Sequence, residues 1–229
     1  MKLFTGNSMH GVLDELVPQF ERSTGYKVSV LYDPAQIVLK RVKAGETADL
    51  AILGRAVLEE LVKHGKIAAG SQRNIARCGV GIGMRAGAPK PDVSSVDGLK
   101  RTLLGAKSIA YTTSGASGIH FANVIERLGI AEQVKAKGVT RPGGLIGELV
   151  ASGEAEIAVQ QIPEIMAVPG IELVGPLPPE LQNVTLSAAG IFVDSTEPHV
   201  ARAFIDFLFT PEAARVLKAK GLAPATENP

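Results

Sequence analysis

Tryptophan is absent from the sequence, and aromatic residues make up only 4% of it. So few flat rings exclude base-stacking platforms and the aromatic clamps that hold sugars. The single cysteine, Cys78, excludes an internal disulfide and leaves the redox compartment open. It lies between Arg77 and Gly79 in an apolar stretch, where a small buried side chain is expected. An excess of one charge is also missing. The 24 basic and 23 acidic residues leave a formal +1, which gives no footprint for nucleic acid or an anionic membrane. No apolar run reaches membrane-spanning length, so no membrane insertion is expected. Met1 leads straight into Lys2-Leu3-Phe4, without the charged, apolar and small-residue pattern of a secretory leader. The expected location is cytoplasmic as the sequence stands, and periplasmic if a leader has been removed. No Cys or His cluster has zinc spacing, and neither a GxSxG elbow nor a Walker A pattern occurs. Gly79-x-Gly81-x-Gly83 lacks the spacing of a dinucleotide fingerprint. Neither a metal nor a cofactor is expected.

What the chain does have is alternation. Leu3–Thr5 reads as a buried strand. Gly6-Asn7-Ser8 follows as a turn, and a helix then runs to about Ser23 with Val12, Leu13, Leu16, Val17 and Phe20 on one face. Pro18 is expected to kink that helix or to weaken a turn of it. Strand Lys27–Tyr32, a short helix ending at Gly45, the apolar strand Ala48–Leu53 and helix Val57–His64 complete a β-α-β-α-β-α opening. That order predicts a parallel sheet covered by helices. A long strand is expected over Ile75–Met84, with glycines that permit a close backbone approach or a bend. The alternation then resumes with strand Ser108–Tyr111, helix Ile119–Leu128, strand Lys137–Thr140, helix Leu145–Ser152 and strand Glu156–Gln160. A second long strand over Val184–Val193 and two closing helices follow. The expected architecture is α/β, two Rossmann-like domains joined by two crossover strands. Residues 1–78 with 190–229 form the first domain and 79–189 the second.

In open parallel sheets, ligands bind beyond the carboxyl ends of the strands, where helices begin. The turns at those ends are Thr5–Ser8, Asp33–Gln36, Gly54-Arg55, Thr112–Gly118, Arg141–Gly144 and Gln160-Gln161. They are rich in Gly, Ser, Thr, Gln and Arg, with Asp33 the only acid, which suits an anion better than a metal ion or a sugar. Thr112-Thr113-Ser114-Gly115-Ala116-Ser117-Gly118 leaves backbone N–H groups and the positive end of a helix dipole for such a ligand. An ordinary capped turn would use the same residues. Arg55 and Arg141 offer planar forks for carboxylates, against the alternative of solvated surface arginines. The candidate ligand-binding residues are Asn7, Ser8, Gln36, Arg55, Ser114, Gly115, Ser117, Gly118, Arg141, Gly143, Gln160 and Gln161. His10 and His120, each in the first turn of a helix, are candidates for proton transfer if the protein is an enzyme, and packing or solvent-facing side chains otherwise. His64 and His199 read as structural, as does Asp49, which sits at a strand start on the opposite edge.

Several stretches resemble periplasmic molybdate-binding proteins and the wider type II solute-binding family. They are Phe20-Glu21 with Gly25-x-Lys27-Val28, then Lys43-Ala44-Gly45-Glu46-x-Ala48-Asp49-Leu50, Ser114–Gly118, and the ending Phe207–Gly221. The resemblance covers nearly the whole chain. It implies the type II periplasmic binding protein fold, with a ligand cleft and hinge closure around it, and an ABC-type permease as partner where such a protein is exported. In that family the oxyanion is held by backbone N–H groups and hydroxyls without a charged residue. Ser8 matches the family's first-turn serine. Asp33-Pro34-Ala35-Gln36 lacks the second serine, a tyrosine is replaced by Gln160 or Gln161, and Arg55 stands where the family's turn is small and uncharged. These departures point to an organic di- or tricarboxylate rather than molybdate. Relatives include an aconitate isomerase, which implies an alternative. His10, His120, Ser8 or Ser117 would move an allylic proton while Arg55 and Arg141 hold carboxylates. A ligand-sensing module is a third reading. No nucleic-acid partner is implied by any of them.

Overall fold

The structure is a computed structural model, and it describes residues 1–225. The chain divides into two compact units, Met1–Cys78 with Thr185–Pro229, and Gly79–Val184. The return to the first unit falls at Val184–Thr185, earlier than the boundary at 190 expected from sequence.

The first unit begins with β1 (Lys2–Thr5), α1 (His10–Thr24), β2 (Ser29–Tyr32), α2 (Ala35–Lys43), β3 (Leu50–Gly54), α3 (Arg55–Lys63) and β4 (Arg73–Cys78). Within the second unit lie β5 (Val80–Arg85), α4 (Val96–Gly105), β6 (Ile109–Thr112), α5 (Ala116–Arg127), α6 (Ala131–Lys135), β7 (Gly138–Arg141), α7 (Gly147–Ala151), β8 (Ile157–Gln161), α8 (Ile162–Met166) and β9 (Ile171–Pro176). The chain then returns to the first unit as β10 (Thr185–Ile191), α9 (Pro198–Phe207), α10 (Pro211–Ala219) and β11 (Ala223–Pro224).

The first sheet has the order β11-β4-β10-β3-β1-β2, and the second β7-β6-β8-β5-β9. In the first, β1 pairs in parallel with β2 and β3, while β10 runs antiparallel between β3 and β4. In the second, β6 pairs in parallel with β7 and β8, and β5 is antiparallel to β8 and β9. Side chains on adjacent strand residues point to opposite faces, so apolar runs feed two layers at once. Leu3 joins Leu16, Phe20 and Phe204 on one face of the first sheet, and Phe4 joins Val38, Leu53 and Leu58 on the other. The second sheet is covered in the same way, by Phe121, Val124 and Leu103 on one side and Ile146, Leu149 and Val150 on the other.

One expectation changes. The long strand over Ile75–Met84 is two strands, β4 and β5, in different sheets with Gly79 between them. The glycines beyond it do permit close approach: a Cβ on Gly83 would lie 2.7 Å from the Ile165 side chain. Helix α1 continues through Pro18 to Thr24. Pro18 is exposed, so water can serve the carbonyl that its missing N–H leaves unpaired. Cys78 is buried, as its apolar setting predicted.

Candidate functional site

In the second unit, parallel pairing brings three of the sequence-derived turns to one edge. Thr112, the last residue of β6, pairs with Arg141, the last of β7. The Thr113 N–H donates to the Arg141 carbonyl at 2.9 Å and the Ser114 N–H to that of Pro142 at 3.2 Å. Helix α5 starts on N-cap Gly115, and no side chain caps it. Its first intrahelical partner is the Ile119 N–H on the Gly115 carbonyl. Among the described residues, the N–H groups of Gly115, Ala116, Ser117 and Gly118 make no hydrogen bond. Thr112 lies beneath them, 3% exposed, and its Oγ1 has no partner among the described residues. Ser117 beside it is buried as well. Orphan donors, an unpartnered hydroxyl and the positive helix end are groups chemically suited to an oxygen anion.

Gly118 makes this packing possible. A Cβ there would sit 1.7 Å from the Thr112 carbonyl oxygen and 2.7 Å from its Oγ1. The strand end and the helix start touch backbone to backbone, which leaves room for hydrogen alone.

Gln160 is engaged with the neighbouring turn. It is buried, its Oε1 accepts from the Ile146 N–H at 3.0 Å, and its Nε2 donates to the Gly144 carbonyl at 2.8 Å. It therefore holds the Arg141–Gly144 turn in place. Gln161 caps α8 in a reciprocal arrangement with Glu164. The guanidinium of Arg141 lies 3.4 Å from Glu148, with 43% of its side chain exposed. His120 donates its Nε2–H to the Leu181 carbonyl at 2.7 Å. That nitrogen is therefore engaged in bracing α5.

In the first unit, Thr5 pairs with Tyr32 and Ile52, so the turns after β1, β2 and β3 also share one edge. Asn7 and Ser8 form a 3₁₀ turn that runs into α1, and the buried Ser8 hydroxyl makes no hydrogen bond among the described residues. The His10 ring stacks on Tyr32 with centroids 4.2 Å apart, and its Nδ1 is 3.0 Å from Asp14 Oδ2. An Nδ1–H donated to Asp14 leaves Nε2 as the basic nitrogen and fixes the ring. Tyr32 donates its hydroxyl to Asp14 at 3.3 Å. Burial, then the Asp14 charge and this hydrogen bond, push the phenol's pKa well above its ordinary value. Gln36 is exposed in the first turn of α2, and Asp33 is engaged by Arg41 at 2.5 Å.

Arg55 opens α3 at this edge. Its Nε is 2.8 Å from Glu59 and an Nη donates to Asn74 at 2.8 Å. The ion pair is half exposed, so Arg55→Ala should cost less than about 1 kcal/mol in chemical denaturation. Sequence reasoning overlooked Asp14, Tyr32 and Arg77. Because β10 lies antiparallel between β3 and β4, the end of β4 reaches the same edge as Gly54. Arg77 is exposed there, and among the described residues it has no ion-pair partner. The first unit's edge thus presents arginines and an oriented imidazole, and the second unit's edge presents backbone donors.

Two α/β units, each with helix starts gathered at one sheet edge, define a type II periplasmic binding protein fold. A family model described as bacterial extracellular solute-binding protein matches residues 1–223, and the chain belongs to that family. It is 32% identical to an aconitate isomerase from a Pseudomonas species over 235 residues, covering 100% of this chain and 89% of that protein. With the molybdate-binding protein ModA of Azotobacter vinelandii it shares 26% identity over 219 residues, 91% of this chain and 84% of the other. The solved periplasmic molybdate-binding protein of Azotobacter vinelandii superposes with a TM-score of 0.81 at 20% identity, covering 99% of this chain and 100% of that one. No helix among the described residues is long and apolar enough to cross a membrane.

Proposed function

We propose that the protein binds a small organic anion, a di- or tricarboxylate, with the Thr112–Gly118 turn as its principal contact. The observation that carries this reading is the unpartnered Thr112 hydroxyl beneath four unpartnered backbone N–H groups. A buried hydroxyl left without a partner costs about 1–3 kcal/mol, and an anion oxygen at this spot offsets that cost. Arg141, on the neighbouring turn of the same edge, favours a carboxylate over a compact oxyanion, because a guanidinium fork matches the two carboxylate oxygens. Relatives described as extracellular or periplasmic support the periplasm as the compartment and an ABC-type permease as the partner.

Thermal shifts with molybdate, tungstate, sulfate, citrate, cis- and trans-aconitate and simple dicarboxylates test the ligand class, since a ligand selective for the native state raises the melting temperature. Carboxylates are expected to stabilise. Stabilisation by molybdate alone would overturn the preference for them. Thr112→Val sharpens the test, because its two effects have opposite signs. Without ligand the variant should gain about 1 kcal/mol, having lost a buried unpartnered hydroxyl. With ligand its affinity should fall by about tenfold. A variant with unchanged affinity removes Thr112 from the site.

A second reading, isomerisation of a tricarboxylate, is favoured by the His10–Asp14 pair. His10 Nε2 would take a proton from the CH₂ beside one carboxylate, the double bond would shift by one position, and the proton would return at the far end of the allylic unit. Following cis- and trans-aconitate by proton NMR tests this. His10→Ala is expected to lose turnover by about 10²–10⁴-fold while the fold is retained. No interconversion by the unaltered protein removes the reading for that substrate.

A further inference from the structure

His10 stands at the first unit's edge with one ring nitrogen committed and the other free. Its Nδ1 is 3.0 Å from Asp14 Oδ2, one helical turn further along α1. A carboxylate oxygen can only accept, so the ring hydrogen is on Nδ1. Neutral imidazole carries a single N–H, so Nε2 keeps a lone pair, and among the described residues it makes no hydrogen bond. The choice between the two nitrogens is exclusive, because the ring has no second hydrogen to give.

Tyr32 acts on the same pair from another element. It ends β2 beside Thr5 at the end of β1, so strand register brings it to the start of α1. Its ring stacks on His10 at an interplanar angle of 24°, which fixes the plane of the imidazole. Its hydroxyl donates to Asp14 Oδ1 at 3.3 Å, and Oδ2 is left to His10. One carboxylate is thus shared between a phenol and an imidazole, and turning either ring breaks a bond. His120 has the opposite form, with its Nε2–H on the Leu181 carbonyl.

We propose that Asp14 and Tyr32 are positioning residues that lock His10 in its Nδ1–H form, so that Nε2 meets the ligand as a hydrogen acceptor. The ligand class this selects is an organic acid with a CH₂ beside a carboxylate. The lock rests on the isomerisation reading above and supplies the residues that prepare its base. A fully ionised oxyanion offers Nε2 no hydrogen and receives none from it, so the lone pair contributes nothing to holding molybdate or sulfate. With a CH₂ the outcome differs. An N–H bond forms at Nε2, the C–H bond breaks, and its electron pair enters the conjugated carboxylate. The ring's new positive charge then faces Asp14, so this contact is stronger in the transition state than before it. The proton returns from Nε2 to carbon at the far end of the allylic unit, which restores the ring.

Long-range proton–nitrogen NMR of the ligand-free protein reads the tautomer of each ring, at a pH where the histidine signals have stopped moving. His10 should carry its hydrogen on Nδ1 and His120 on Nε2, the His10 signals being identified by their loss in His10→Gln. Asp14→Ala should move the His10 ratio toward Nε2–H by about tenfold. Tyr32→Phe keeps the stack and should move it the same way by less. His120 should change in neither variant. Hydrogen on Nε2 of His10 in the unaltered protein overturns the proposal, as does an unchanged ratio in Asp14→Ala. An unchanged ratio in Tyr32→Phe overturns the role of Tyr32. Turnover of cis-aconitate gives a second readout. In Asp14→Ala kcat should fall by about tenfold at nearly constant KM, because the ring charge that Asp14 faces arises only in the transition state. Equal kcat in the two proteins overturns the positioning role. If the tautomers are as expected and cis-aconitate is not converted, the lock stands and the isomerisation reading fails.

Discussion

Asp49→Ala should lower folding stability by about 3–5 kcal/mol, one of the two largest effects expected in this chain. Asp49 is 5% exposed at the start of β3, on the edge opposite the candidate site. Its Oδ2 accepts from the Lys2 N–H at 2.7 Å. Its Oδ1 accepts from the Ser195 hydroxyl at 2.9 Å, the Thr196 N–H at 2.9 Å and the Glu197 N–H at 3.1 Å. One carboxylate thereby ties the first strand of the chain to the segment that leads into α9. Alanine leaves those donors unpaired in a site that water reaches poorly, and removing one side of a buried charged interaction costs far more than the interaction contributes. Urea unfolding should show a lower midpoint with an unchanged slope. Burial pushes the Asp49 carboxyl upward, but the donors outweigh it and hold it below the usual range. A carboxylate with a depressed folded pKa adds stability that is complete above its unfolded pKa of about 3.9 and is lost as pH falls through the folded value. Asp49→Asn should therefore flatten the acid side of the stability profile. A loss below about 1 kcal/mol for Asp49→Ala would show that the segment before α9 is held by other contacts.

The sequence made Asp49 legible as structural because it sits at a strand start rather than a strand end. The same rule placed Thr5–Ser8, Gly54-Arg55 and Thr112–Gly118 at the edges where helices begin, and the family pattern agreed with it. What periodicity does not convey is which face of a fully apolar strand a polar residue occupies. Gln160 follows an apolar run, and nothing local distinguishes a ligand contact from a clamp on Gly144. Pairs distant in sequence were invisible for the same reason. Asn74 reaches Arg55 only because β10 inserts between β3 and β4, and Tyr32 reaches His10 only through parallel pairing. Glu164 did leave a trace. Gln161-x-x-Glu164 has the spacing of a capping box, a pattern usually sought after Ser or Thr. The boundary at Gly79 shows the opposite failure, since an unbroken apolar run concealed a change of sheet.

Gly118→Ala should abolish anion binding at the second unit's edge and cost about 3 kcal/mol of stability, at the upper end for overpacking. The added methyl would meet the Thr112 carbonyl at 1.7 Å, so backbone rather than a pliable side-chain tip must give way. Moving α5 away from β6 by the necessary ångström or more displaces the Ala116 and Ser117 N–H groups from the Thr112 hydroxyl. An oxygen anion then cannot meet both, and the geometry that makes oriented donors effective is lost with little change in charge. Gly115→Ala is a graded companion. Its methyl would approach Thr112 Oγ1 at 2.5 Å, a contact that rotation of the threonine side chain relieves in part. It should weaken binding while costing less stability than Gly118→Ala. Calorimetry with cis-aconitate and citrate at pH 7, beside urea unfolding of each variant, separates the two effects. If Gly118→Ala binds as the unaltered protein does, the α5 turn is structural and the anion is held elsewhere. If both variants lose binding while Gly115→Ala keeps near-normal stability, the loss is local to the turn and the donors above Thr112 are its cause.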